Sequence, residues 1–269
     1  MNTIAELAQA LAEGRTTSQA LVAQALKRID AHRAAGGAAY ISVDADSARQ
    51  AARASDLARV SGYVPSPLAG LPVSIKDLFD VSGQVTASGS SLLADAPPAT
   101  GDALVVARLR AAGAILLGRT NMSEFAFSGL GLNPHYGTPL TPCAVGRIAG
   151  GSSSGAAVSV ALGMAVAGLG TDTGGSIRIP AAFCNLTGFK PSANRVPMSG
   201  TFPLAVSLDS VGALTRSVAD CILLDGVLSG EQLDTRAASL AGLRLAVTRD
   251  FVLDQSDADV AAAFERTLD

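Results

Sequence analysis

Gly70-Leu71-Pro72-Val73-Ser74-Ile75-Lys76-Asp77 is the stretch from which the fold class is read. Its apolar residues at 71, 73 and 75 alternate with a period of two, the spacing of a β-strand. Downstream, residues 102–112 carry Ala103, Val106 and Leu109 at helical spacing, and Ala114-Ile115-Leu116-Leu117 is a second short apolar run. Strand, helix, strand in that order predicts a crossover unit of an α/β protein, in a mixed or parallel sheet with functional loops at the strand ends. Lys76 closes the first strand, so it stands at such an end.

Toward the N-terminus the chain reads as helical. Thr3-x-x-Glu6 is a capping box before Leu7 and Leu11, and Gly14 stands where a C-cap glycine belongs. A second helix begins near Thr16 or Thr17 with Val22, Leu26 and Ile29 on one face, and a third, rich in Ala, covers residues 47–60. Toward the C-terminus, residues 242–247 read as a strand and 257–268 as a helix with Val260, Phe264 and Leu268 in register. That helix has no C-cap before the chain stops at Asp269. The expectation is a single domain over 1–269, with a helical region at 1–65 and an α/β core at 66–269.

Composition narrows the function. The 269 residues carry 20 Lys+Arg against 23 Asp+Glu, a formal net charge of −3, which argues against a nucleic-acid or anionic-membrane binder. Cys143, Cys184 and Cys221 are an odd number without zinc spacing, and read as buried thiols in a reducing compartment. The first residues lack a signal-peptide pattern, and the apolar segment 156–169 is too short to span a bilayer. A cytoplasmic protein without a membrane partner, metal or cofactor is expected.

That apolar segment is bracketed by Gly150-Gly151-Ser152-Ser153-Ser154-Gly155 and Gly170-Thr171-Asp172-Thr173-Gly174-Gly175-Ser176, so both clusters lie against the core. Neither is a phosphate loop. No Lys follows the glycines as GxxxxGK[ST] requires, and GxGxxG fails at Thr173. Residues 151–155 match GxSxG with Ser153 as nucleophile, but no apolar strand precedes them and no histidine follows. A histidine-first triad through His135 remains formally open. Lysine is the other base for a serine, provided burial or nearby positive charge keeps its amine neutral. Lys76 fits by its place at a strand end, against the alternative of a surface pair with Asp77 or Asp80. Ser176, after two glycines, is the natural nucleophile. The run Asp172-Thr173-Gly174-Gly175 can turn N–H groups toward an oxyanion, and Ser152 can relay a proton if the two clusters meet.

These segments, with Ala182-Phe183-Cys184, Gly188-Phe189-Lys190-Pro191 and Ser207-Leu208-Asp209-Ser210, resemble the amidase signature family in order and spacing across most of the chain. The resemblance implies a mixed central β-sheet flanked by helices and a Ser–Ser–Lys triad. Lys76 would be the base, Ser152 the bridging serine after a cis Gly151–Ser152 peptide, and Ser176 the acyl-enzyme nucleophile. Backbone N–H groups of Thr173, Gly174, Gly175 and Ser176 would form the oxyanion hole, with Asp172 and Arg178 as supports. The implied activity is cleavage of a small carboxamide without a cofactor. Family members are longer, so the C-terminal part of the fold would be lacking, and a homodimer or partner subunit would be compatible.

The implied alternative is the amidase subunit of a glutamine-dependent tRNA amidotransferase. That subgroup typically has GLKPTYGRVSRYG where this chain has GFKPSANRVPMSGTFP, with Ala193 and Asn194 at the Tyr-Gly pair and Pro197 at the serine. A truncated chain without activity, and a Cys–Glu–Lys site from Cys184, Glu124 and Lys76, also remain open. Residues near 122–129 and 135–137 are candidate substrate contacts.

Overall fold

The strand read first, β2 (Pro72–Lys76), lies inside a six-stranded sheet of order β1-β3-β2-β4-β6-β5. The computed structural model describes residues 2–231, 239, 241–247 and 253–268. β2 runs parallel to β3 (Ile115–Thr120) and β4 (Ala167–Asp172), joined to β3 through the helix α4 (Leu104–Ala111). Antiparallel strands complete the sheet: β1 (Tyr40–Val43) on β3, β6 (Ser210–Thr215) on β4, and β5 (Thr187–Phe189) on β6. The sheet is therefore mixed, and the expected crossover unit is present.

Every residue of β2 is buried, Ser74 and Lys76 included. Helices cover both faces, as suits a central strand with parallel neighbours. One core packs α1 (Ile4–Ala12), α4 and α7 (Val218–Ser229) against Val73, Ile75, Leu169 and Ala213. The other packs α2 (Ser18–Ala34), α3 (Ala45–Val60), α5 (Ser154–Ala161) and α6 (Arg178–Phe183) against Ile115, Leu117 and Leu214. The buried Ser74 is satisfied on that side by Ser159 of α5, with the two hydroxyls 2.8 Å apart.

The N-terminal expectations hold in detail. Thr3 and Glu6 form the capping box, Gly14 follows α1 with φ of 67°, and Thr17 caps α2. The helical region is not purely helical, however, because β1 interrupts it and pairs with β3. Four residues between two helices are too few to display a strand period. A second difference lies at residues 242–247, which form no strand: an extended segment needs a ladder, and these have no pairing partner among the described residues. The helix expected at 257–268 is α8 (Ala258–Leu268). It belongs to a separate compact unit, residues 234–269, apart from the unit of residues 1–233.

Candidate active site

The two Gly/Ser clusters meet because the apolar segment between them is a helix, a turn and a strand. α5 runs out from the first cluster, the chain reverses at Gly163 with φ of 72°, and β4 returns to the second. Ser153 donates its N–H to the Ser176 carbonyl at 3.1 Å and its hydroxyl to the Thr171 carbonyl at 3.3 Å. Gly155 lets the first turn of α5 approach the neighbouring chain. A Cβ there would stand 2.2 Å from the Ala39 oxygen and 2.6 Å from the Asn121 nitrogen.

Parallel strands end on one edge, so Lys76 on β2 and Asp172 on β4 arrive together, beside the Ser152 turn. Lys76 Nζ lies 2.7 Å from Ser152 Oγ and 2.8 Å from Thr171 Oγ1. Lys76 and Ser152 are wholly buried, whereas Ser176 retains 7% exposure. The Gly151–Ser152 peptide is cis. Lys76 and Ser152 are thus in contact, and Ser176 is tied to the same turn through its main chain. Among the described residues its hydroxyl makes no hydrogen bond.

Burial pushes the Lys76 amine down to about 7, with the charges of Asp172 and Asp209 opposing the fall. The surface pairs considered for Lys76 do not form. Asp77 holds Arg119 and accepts the Gly89 N–H at 3.0 Å, while Asp80 accepts the Thr86 hydroxyl at 2.8 Å. A buried amine without a contacting carboxylate can serve as a neutral base near pH 7.

Asp172 organises the turn after β4. It accepts the N–H groups of Gly175 (2.8 Å), Ile177 (3.1 Å) and Arg178 (3.3 Å), and the Arg178 guanidinium grips both of its oxygens at 2.9 Å. Burial alone would raise this carboxyl, but Arg178 and the amides more than offset it and hold the group below the ordinary range. Asp172 and Arg178, expected as supports, are thus paired with each other at the start of the turn. The Gly175 N–H, expected in the oxyanion hole, donates to Asp172 Oδ1, whereas the N–H groups of Thr173 and Gly174 make no hydrogen bond among the described residues.

Two residues given no role from the sequence belong to the site. Thr171 holds the Lys76 amine alongside Ser152. Asp209 accepts the Thr173 hydroxyl and the N–H groups of Leu204 (2.9 Å) and Ala205 (3.0 Å), bracing the 172–176 turn from the start of β6. Thr171 sits inside the second Gly/Ser cluster and Asp209 inside a matched motif. Membership of those motifs was the signal available for each.

The competing constellations do not assemble. His135 bonds Ser91 (3.2 Å) and Glu124 (2.9 Å), not Ser153. Cys184 is buried, which pushes its thiol up to about 11, and Glu124 is held by Ser90 and His135 instead of approaching Lys76. Cys221 is buried as expected, but Cys143 is exposed, placed at the tip of a turn closed by the Leu140–Ile148 bridge. Among the described residues no group of three or more His, Cys, Asp or Glu could hold a metal. No described helix is long and apolar enough to cross a membrane.

Residues 20–269 match the family model described as Amidase. A glutamyl-tRNA(Gln) amidotransferase subunit of Chromohalobacter salexigens is 41% identical over 99% of this chain and 57% of its own length. The 1-carboxybiuret hydrolase subunit AtzE of Pseudomonas sp. strain ADP is 38% identical over 97% of this chain and 60% of its own. A crystal structure of an amidase superposes with a TM-score of 0.91 at 42% identity, covering 99% of this chain and 60% of that one. The chain thus spans less than two thirds of the relatives it matches. With the family model covering all but the first 19 residues, the protein belongs to the Amidase, or amidase signature, family.

Proposed function

We propose that this protein cleaves the carbon–nitrogen bond of a small carboxamide through an acyl-serine intermediate, with Lys76, Ser152 and Ser176 as a proton relay. The observation that carries the reading is the 2.7 Å contact between a wholly buried Lys76 amine and Ser152 Oγ. Neutral Lys76 takes the Ser152 proton as Ser152 takes that of Ser176, and the Ser176 oxygen attacks the amide carbon. The N–H groups of Thr173 and Gly174, with that of Ser176 itself, receive the oxyanion. On collapse the C–N bond breaks, and the proton returns along the relay to the leaving nitrogen. Water then adds to the ester by the same route and releases the carboxylate.

The relative named 1-carboxybiuret hydrolase subunit places ureido compounds among the substrates to test first. Both curated relatives are named as subunits, so the reading includes a partner chain or a second copy. Similarity to an amidotransferase subunit supports a second reading, in which glutamine is the amide and ammonia passes to a partner. Hydrolysis assays over aliphatic, aromatic and ureido amides, with glutamine included, separate the two. Turnover of a simple amide that is lost in Ser176→Ala supports the hydrolase, and ammonia release from glutamine alone supports the transferase. Unchanged turnover in Ser176→Ala contradicts both.

A further inference from the structure

A cleft of about 380 Å³, whose lining does not include Lys76, Ser152 or Ser176, opens between the 93–99 loop and the 200–203 turn. Its lining is mixed: Leu93, Pro97, Pro203 and the ring of Phe202, which is 38% exposed and lies 5.7 Å from the Phe125 ring, stand beside the polar Thr86 and Thr201. One acidic group lines it, Asp80. The volume and the pairing of apolar side chains with a single charged group are those of a small-molecule site.

Asp80 has no ion-pair partner among the described residues. Its Oδ1 accepts the Thr86 hydroxyl at 2.8 Å, and no described donor takes Oδ2. The Arg119 guanidinium is in contact with Asp77 and connects to this group through Thr86, with Nη2 3.3 Å from Thr86 Oγ1. Arg119 is thus paired with Asp77, and the Asp80 carboxylate faces the cleft without a direct cationic partner among the described residues. A half-buried carboxylate beside an aromatic ring suits a cation, by charge and by the ring's quadrupole.

We propose that this cleft binds a primary alkylammonium ion, with Asp80 holding the ammonium and Phe202, Leu93 and Pro203 covering the alkyl chain. An ammonium fits better than a guanidinium because one Asp80 oxygen is already taken, whereas a planar fork needs both. Neither Asp80 nor Phe202 has a part in the proposed proton relay.

The test is titration of the full chain with butylammonium, followed by amide chemical shifts of Gly200 and Thr201. Saturable shifts are expected at millimolar concentration. Asp80→Asn, which keeps an acceptor for Thr86, should weaken binding at least tenfold, and Phe202→Leu about threefold. Neutral butanol should bind at least tenfold more weakly than butylammonium. Equal binding of butanol, equal or tighter binding of butylguanidinium, undiminished binding in both variants, or no saturable shift in the wild type would overturn the proposal.

Discussion

Replacing Lys76 with Met tests whether the amine is neutral in the folded protein, through stability alone. The folded amine titrates at about 7 against an ordinary 10.5, because the side chain is wholly buried. Below pH 7 both folded and unfolded chains hold the proton, and the cost of burying a charge is fully present. Between 7 and 10.5 the unfolded chain keeps a proton that the folded chain has released, so stability rises with pH. One proton of difference gives a slope of at most about 1.4 kcal/mol per pH unit. Between pH 7 and 9 the wild type should therefore gain on the order of 2–3 kcal/mol relative to Lys76→Met, and little between pH 5 and 6. Urea denaturation of both proteins across pH 5 to 9 measures the difference directly. Parallel stability curves would refute the reasoning, since they would mean that Lys76 keeps its charge on folding.

Thr171→Val removes one of the two hydroxyls that orient the Lys76 amine while keeping the shape; kcat should fall roughly tenfold, about one hydrogen bond's worth, with KM little changed and recovery in Thr171→Ser. Asp172→Asn takes the anion from a half-exposed Arg178 guanidinium, which solvent then screens, and weakens the backbone contacts of the turn; it should cost about 1–2 kcal/mol at pH 7 by chemical denaturation. Because that carboxyl is held below its ordinary value, the cost should be full above pH 4 and shrink as pH falls further. Gly155→Ala forces a Cβ against the Ala39 oxygen and should destabilise by about 3 kcal/mol in the same assay.

The local signals in the sequence carried α1 to α4 and α8, because caps and helical spacing act within a few residues; the short α6, and α5 and α7, whose apolar residues form no single stripe, were not read as helices. Thr3, Thr17 and Gly14 stand where those rules place them. Strands were harder, since a strand exists only with its neighbours. β1 has four residues, and β3 makes it a strand. Residues 242–247 have strand composition and no ladder. β2 was placed correctly, but the alternation of Val73 and Ile75 with Ser74 and Lys76 says nothing of α5 lying over the second face. The same limit applies to the site. Lys76, Ser152 and Ser176 stand out by residue type and place in the motifs. Thr171 and Asp209 are ordinary polar residues until the pairing of β2, β4 and β6 brings them to Lys76 and Thr173. Likewise Gly175 looks like an oxyanion donor until the Asp172 side chain folds back onto its N–H.

The central claim is that Ser176 is the nucleophile activated through Ser152 by Lys76. Its most direct test is covalent labelling with a serine-directed phosphonate, followed by intact mass and peptide mapping. One adduct on Ser176 is predicted, formed faster as pH rises through 7, absent in Ser176→Ala and strongly slowed in Lys76→Ala. A label on Ser152 or Ser153 in the wild type, or one on Ser176 that Lys76→Ala does not slow, would contradict the account.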